Sequence, residues 1–209
     1  MNNNLIICIG RQFGSGGREI GQKLAQKLGI AYYDKQILTK ASADHGIVRE
    51  LFEKADEQPT DSFLYSLSLN GGQNAAGMLG FSDYLTNDNL FAMMSKTITD
   101  IAAEGPCVII GRCADYILQD LPNCYSVFIG ADQKTCTKRI MELRGIDEKA
   151  AASICRKTDK KRASYYYFYT EKSWGACASY DISLNSSRLG IDGTVNVLET
   201  YFRTIGVAK

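Results

Sequence analysis

A glycine-rich turn set between an apolar run and an amphipathic segment constrains this chain more than any other feature. The stretch from Leu5 to Asp34 reads LIICIG, then RQFGSGG, then REIGQKLAQKLG, then IAYYD. The first piece is short and continuously apolar, as expected of a parallel strand buried on both faces. Gly14, Gly16 and Gly17 open backbone angles and allow close approaches that a Cβ would block. Ile20, Leu24, Ala25 and Leu28 then recur on one face with a period of about 3.6 residues, predicting a helix. The start of that helix presents unpaired N–H groups and the positive end of its dipole to the loop. Strand, glycine loop and helix together make a phosphate-binding device. The plainer alternative is a glycine turn that only packs a helix onto a sheet.

The loop departs from the Walker A pattern G-x-x-x-x-G-K-[ST], in which Lys reaches the phosphates and the hydroxyl reaches magnesium. In the best register, Arg11-QFGS-Gly16-Gly17-Arg18, Gly17 stands at the lysine position and Arg18 at the Ser/Thr position. Arg11 and Arg18 bracket the loop and can replace the missing cation. Arg18, in the first helical turn, is the expected donor-phosphate contact, with Arg11 the competing candidate. A lysine placed at 17 is expected to restore part of any loss if the loop keeps Walker geometry.

At 209 residues, with 45% hydrophobic content, the chain suits one α/β domain. The net charge of +1 gives no global field that would attract a polyanion. No run approaches the roughly 18 apolar residues that span a bilayer, and no signal peptide precedes the first strand. The seven cysteines show no metal-finger spacing, and Cys8, Cys107 and Cys124 sit in or beside apolar runs as small core residues. That odd, unframed set points to a reducing cytoplasm. The one histidine, His45, lies in a polar helix-end context, and no residue is assigned as a metal ligand.

Five strands are expected, at 4–9, 31–33, 107–110, 125–129 and 180–184. Helices are expected at 35–46, 47–58, 84–104, 113–119 and 191–205, with Asn70–Gly80 a glycine-rich loop between them. Asp132 should cap a helix running to Arg144, and Asp147 another running to about Tyr169. Strands alternating with helices imply a parallel sheet covered on both faces. A basic run, Arg156-Lys-Thr-Asp-Lys-Lys-Arg162, lies in the second of these helices. It can be a solvated face, a nucleic-acid patch, or a set of cations closing over phosphate oxygens. The aromatic run Tyr165–Tyr169 and Trp174 pack that helix onto the body.

The segments IICIGRQFGSGGREIGQKLAQKLGIAYYD, CVIIGRCADYIL, SVFIGADQKTCTKRI, CRKTDKKRASYYYFYT and YDISLNSSRLGIDGTVNVL, in this order, resemble the bacterial cytidylate kinase family. They resemble its cytidylate kinase-like branch more closely, over nearly the full length. The resemblance implies an α/β fold with a five-stranded parallel sheet and a P-loop NMP-kinase-like three-layer core. That core would be 1–35, 105–152 and 173–209 of a single domain. A helical NMP-binding insertion would occupy 36–104 and a lid 153–172, the lid closing on nucleotide. It further implies ATP and Mg²⁺ as cofactors and transfer of the γ-phosphoryl group to CMP or dCMP.

Carried over by position, Gly14, Ser15, Gly16 and Gly17 would cradle the donor phosphates, with Arg11, Arg18 and Arg139 beside them. Asp34, Lys40 and Arg112 would bind the acceptor. Arg18, Arg156, Lys160 and Arg162 would act on the transferring group. Lys35 stands where the family has an acceptor-contacting Ser, Lys40 where it has Arg. Cys113 stands where it has the Asp that reads the cytosine amino group. Three classes of function follow: a kinase acting on small nucleotides, a non-catalytic nucleotide-binding regulator, and a nucleic-acid binder. The balanced charge argues against the last, and the partners expected are small nucleotides, without nucleic acid or membrane.

Overall fold

Alternation along each strand divides the core into two faces. In β1 (Ile6–Arg11), Ile6 and Cys8 point to one side of the sheet and Ile7 and Ile9 to the other, all almost fully buried. The computed structural model describes residues 4–46 and 87–206. The helix expected at 47–58 and the loop Asn70–Gly80 lie outside the described residues.

β1 is followed by α1 (Gly17–Leu28), β2 (Ala31–Tyr33), α2 (Gln36–His45), α3 (Asn87–Glu104), β3 (Cys107–Ile110) and α4 (Ala114–Ile117). Then come β4 (Cys124–Gly130), α5 (Gln133–Arg144), α6 (Glu148–Thr170), β5 (Ile182–Asn185) and α7 (Ser186–Thr204). The five strands form one parallel sheet in the order β2-β3-β1-β4-β5. β1 is therefore central, and its carboxyl end opens between β3 and β4. Open parallel sheets bind ligands in the crevice at such a reversal of strand order.

One face packs Ile20 and Leu24 of α1 and Val195, Leu198 and Phe202 of α7 against Ile7, Ile9, Val108 and Ile129. The other gathers Ile37, Leu38 and Ala41 of α2 with Leu90, Met94, Ile98 and Ile101 of α3. Tyr165 and Tyr166 of α6 join that second face, so the aromatic run roots its helix in the core. Both ends of the expected insertion, α2 and α3, are thus built into the core layer. Removing these side chains from water supplies most of the driving force for this layered arrangement.

The acidic caps form as expected. Asp132 accepts the Thr135 N–H at 2.7 Å and Asp147 accepts the Ala150 N–H at 2.8 Å, each satisfying an otherwise orphaned helix-start donor. β1 runs two residues further than expected because Arg11 still pairs with Ile129 of β4. The last helix begins at Ser186, earlier than expected, and breaks at Gly190, where φ is 65° and ψ is −174°.

Candidate active site

The loop between β1 and α1 closes on close contacts that leave no room for side chains. Gly14 and Gly16 take φ of 85° and 81°, the left-handed region open to glycine. A Cβ on Gly14 would lie 2.7 Å from the Cys136 carbonyl oxygen, because the loop rests on the first turn of α5. A Cβ on Gly17 would lie 2.6 Å from Cβ of Arg11. The stem of Arg11 therefore fills the space next to the Walker lysine position. A lysine at 17, expected to restore part of a loss if the loop keeps Walker geometry, would meet that stem.

Ser15 shapes the loop from inside. It is buried, its hydroxyl donates to the Gln12 carbonyl at 2.9 Å, and it accepts the Gly17 N–H at 3.3 Å. The Ser186 hydroxyl lies 2.7 Å from the Ser15 carbonyl oxygen and 3.1 Å from that of Gly130, tying the loop to the end of β4. The Gln12 side chain accepts the Ala131 N–H at 2.8 Å and adds a second tie.

Two cavities meet at this loop. The larger, about 380 Å³, runs from Gln12, Phe13, Gly14, Gly16 and Gly17 to Ile140 and Leu143 on α5. Among the described residues five arginines line it, Arg11, Arg18, Arg139, Arg144 and Arg162, against the single carboxylate of Glu19. Arg139 is ion-paired with Glu19 and lies beside Gly16. Arg144 and Arg162 sit over the Phe13 ring, 5.4 and 5.7 Å from its centroid. The smaller cavity, about 20 Å³, lies between the carboxyl ends of β1 and β3. Gly10, Arg11, Arg112, Cys113, Asp115 and Arg162 line it, with an aromatic wall of Tyr165, Tyr166, Trp174 and Tyr180.

The sequence profile of the cytidylate kinase-like family matches residues 6–188. The chain belongs to the cytidylate kinase-like family. It is similar to the crystal structure of an uncharacterized protein from Eubacterium ventriosum, at 31% identity and a TM-score of 0.69. That likeness covers 96% of this chain and 99% of the other. A shikimate kinase from Bacteroides thetaiotaomicron shares the fold at 14% identity and a TM-score of 0.54, covering 95% of this chain and 98% of the other. A uronate isomerase of Corynebacterium glutamicum is 25% identical over 142 residues, 68% of this chain. The chain spans 27% of the length of that curated relative.

Within this family frame, the expected site residues separate into three groups. Arg11, Gly14, Gly16, Gly17, Arg18, Arg139 and Arg162 all line the larger cavity, and Arg112 lines the smaller. Asp34, at the carboxyl end of β2, is buried and held between two arginines: Arg18 Nε lies 2.6 Å from Oδ2, and Arg112 Nη1 lies 3.5 Å from Oδ1 and 3.0 Å from the carbonyl oxygen. Arg18 therefore stands at the cavity with its guanidinium already committed to a carboxylate. The third group lies elsewhere. Arg156 and Lys160 are exposed on α6 and line neither cavity. Lys40 is tied to Glu104 at 2.8 Å, before the start of β3 and away from the carboxyl edge of the sheet.

Residues not singled out from sequence complete the site. The Asp159 carboxylate, the lone acid of the basic run, accepts the Phe13 N–H at 2.7 Å, and Arg162 donates to the Arg11 carbonyl at 3.2 Å. The α6 helix is thereby clasped to the loop. Asp115, two residues past Cys113, brings a carboxylate into the smaller cavity, where it accepts the Tyr166 hydroxyl at 2.7 Å. Burial raises the Asp115 pKa above the usual aspartate value, against the lowering effect of that hydrogen bond. Left-handed backbone at Arg112 and Cys113 turns the chain sharply here, with φ of 58° and 55°. Burial also pushes the Cys136 thiol under the loop up to about 12, so it remains a neutral packing group.

Proposed function

We propose that this protein is a kinase that transfers the γ-phosphoryl group of ATP to a small anionic acceptor. The first candidates are nucleoside monophosphates, with CMP or dCMP the starting guess. The observation that carries this reading is that Arg11 and Arg162 line both cavities. A donor in the larger cavity and an acceptor reaching one group into the smaller would share these two guanidinium groups at their junction. Phosphoryl transfer asks little covalent chemistry of a protein; it needs in-line positioning and cations where charge moves between oxygens.

The residues present fit a triphosphate. The cavity is of ligand size, its floor is a glycine loop at a helix start, and its arginines outnumber its carboxylates. Among the described residues no group of three or more His, Cys, Asp or Glu converges on a cation site. Magnesium is commonly held by substrate phosphates, water and one or two carboxylates, so it would arrive with the nucleotide and supply positive charge to its phosphates. Glu19 is the carboxylate nearest to hand in the donor cavity.

This chain's own residues then divide the work. The loop backbone and Arg139 orient the donor. Arg11 supplies the side-chain cation in place of the Walker lysine. Arg162, clasped to the Arg11 carbonyl, brings α6 over the transferring group and helps exclude water. The test is ADP formation by purified protein with ATP, Mg²⁺ and each ribo- and deoxyribonucleoside monophosphate in turn. Acceptor-dependent ADP formation that Arg162→Met abolishes is expected. ATP binding without turnover on any acceptor would make the protein a nucleotide-binding regulator instead.

A further inference from the structure

A buried hydroxyl that makes no hydrogen bond of normal geometry lines the smaller cavity. Tyr180 precedes β5 and is 8% exposed. Its ring is fixed by Phe128, with centroids 5.0 Å apart, and by Tyr166, at 6.0 Å. Its hydroxyl faces Gly10 at the end of β1, so closely that a Cβ there would stand 3.2 Å away. That buried oxygen interacts with the Tyr166 hydroxyl, but outside the geometry of a normal hydrogen bond, and makes no other among the described residues. Buried hydroxyls are almost always satisfied, and an exception calls for an explanation such as a ligand or a water.

The neighbouring groups define what would satisfy it. The Tyr166 hydroxyl spends its proton on Asp115 and so offers only lone pairs to a newcomer. Tyr180 has a proton to give. A group that both accepts and donates suits this pair, whereas a carbonyl would serve only Tyr180 and an amino group only Tyr166. The cavity of about 20 Å³ admits one group of water size. Arg11, Arg112 and Arg162 line the same cavity and suit an anionic portion of the same molecule.

We propose that Tyr180 is a specificity-determining residue that receives a sugar hydroxyl of the acceptor, beside the Tyr166–Asp115 pair, in the smaller cavity. The proposal rests on reading that cavity as the acceptor side of a kinase. It names the acceptor class as a hydroxyl-bearing anion, with ribonucleotides preferred to their deoxy counterparts.

Trp174 is the only tryptophan of the chain and lines this cavity, so its emission reports occupancy without any turnover. Wild type and Tyr180→Phe are titrated with CMP and dCMP, AMP and dAMP, GMP and dGMP, and UMP and dUMP, following Trp174 fluorescence. ATP-dependent ADP formation is followed in parallel. Near-ultraviolet circular dichroism confirms that the phenylalanine ring keeps the packing against Phe128. The wild type should favour the ribonucleotide of at least one pair by about tenfold or more, and Tyr180→Phe should reduce that preference to about twofold or less. ATP affinity should stay unchanged in the variant. A preference equal in both proteins, or none in the wild type for any pair, overturns the proposal and leaves an ordered water as the partner of Tyr180. Hydroxyl-dependent binding with no ADP formation for any acceptor keeps the Tyr180 site and removes the kinase reading.

Discussion

The Phe13 amide N–H donates to Oδ1 of Asp159 at 2.7 Å, a contact between residues 146 positions apart in the chain. It sets a carboxylate of α6 against a loop whose remaining groups are arranged for anions. With Arg162 on the Arg11 carbonyl, it holds the helix over the larger cavity. Asp159→Ala should remove about 1 kcal/mol of stability, a hydrogen bond to a charged partner being reduced to that of an ordinary one by partial exposure to solvent. Amide hydrogen exchange at Phe13 and along 153–165 should speed up. Unchanged exchange at Phe13 would show that the contact does not hold the helix down.

Gly17 tests the packing of the loop itself. A Cβ there meets Cβ of Arg11 at 2.6 Å, backbone-proximal atoms that cannot swing aside. Gly17→Ala should destabilise the fold by about 1–3 kcal/mol, the range for overpacking a tight site. Gly17→Lys should bind ATP no better than Gly17→Ala. Urea denaturation with ATP titration checks both, and improved ATP affinity in the lysine variant would refute the steric reading.

Arg11 and Arg18 should prove unequal. The Arg18 side chain is 57% exposed and already paired with Asp34, so solvent screens what it adds. Arg18→Met should change ATP affinity by about threefold or less. Arg11 is 7% exposed and lines both cavities. Arg11→Met should weaken ATP binding by roughly ten- to a hundredfold, as expected for a lost charge-assisted contact. Isothermal titration of both variants decides it, and the reverse ranking would return the role to Arg18.

Asp115 should leave a mark on the pH dependence of folding. Burial raises its pKa in the native state, so the native protein binds its proton more tightly than the unfolded chain. Stability should then fall as pH rises from about 4, the unfolded aspartate value, through the raised native pKa, and level off above it. Asp115→Asn keeps an acceptor for the Tyr166 hydroxyl and should flatten that decline. Urea midpoints across the acidic range measure the slope, and an identical slope in the variant would assign it to other groups.

The segments legible in the sequence are those where local pattern and final environment agree. The LIICIG run, the stripe of Ile20 and Leu24, and the caps at Asp132 and Asp147 each carry their structural reason within a few residues. Arg112 was placed by its position after a strand, and the strand put it at the carboxyl edge. Side-chain orientation was not legible. The commitment of Arg18 to Asp34 depends on how α1 turns relative to β2. Asp159 reads as a minor acid within a basic run until α6 is laid across the loop. The Ser186 hydroxyl carries no signal beyond a helix start, yet it meets the loop carbonyl at 2.7 Å. Such contacts join distant segments, and no local periodicity encodes them.

The break in α7 gives the loop a second controller. Gly190 adopts φ of 65° with ψ of −174°, a conformation that belongs almost wholly to glycine, while open space surrounds the place of its missing Cβ. The short turn before it carries Ser186 to the loop; just after it, Ile191 is set against Gly16, and further on Val195, Leu198 and Phe202 are locked in the core. A residue with no side chain to pack, holding only the Thr194 hydroxyl on its carbonyl at 2.6 Å, thus sets the aim of the groups that brace the glycine loop. Any substitution at 190 would act there through torsion alone, as a crank acts through its shaft.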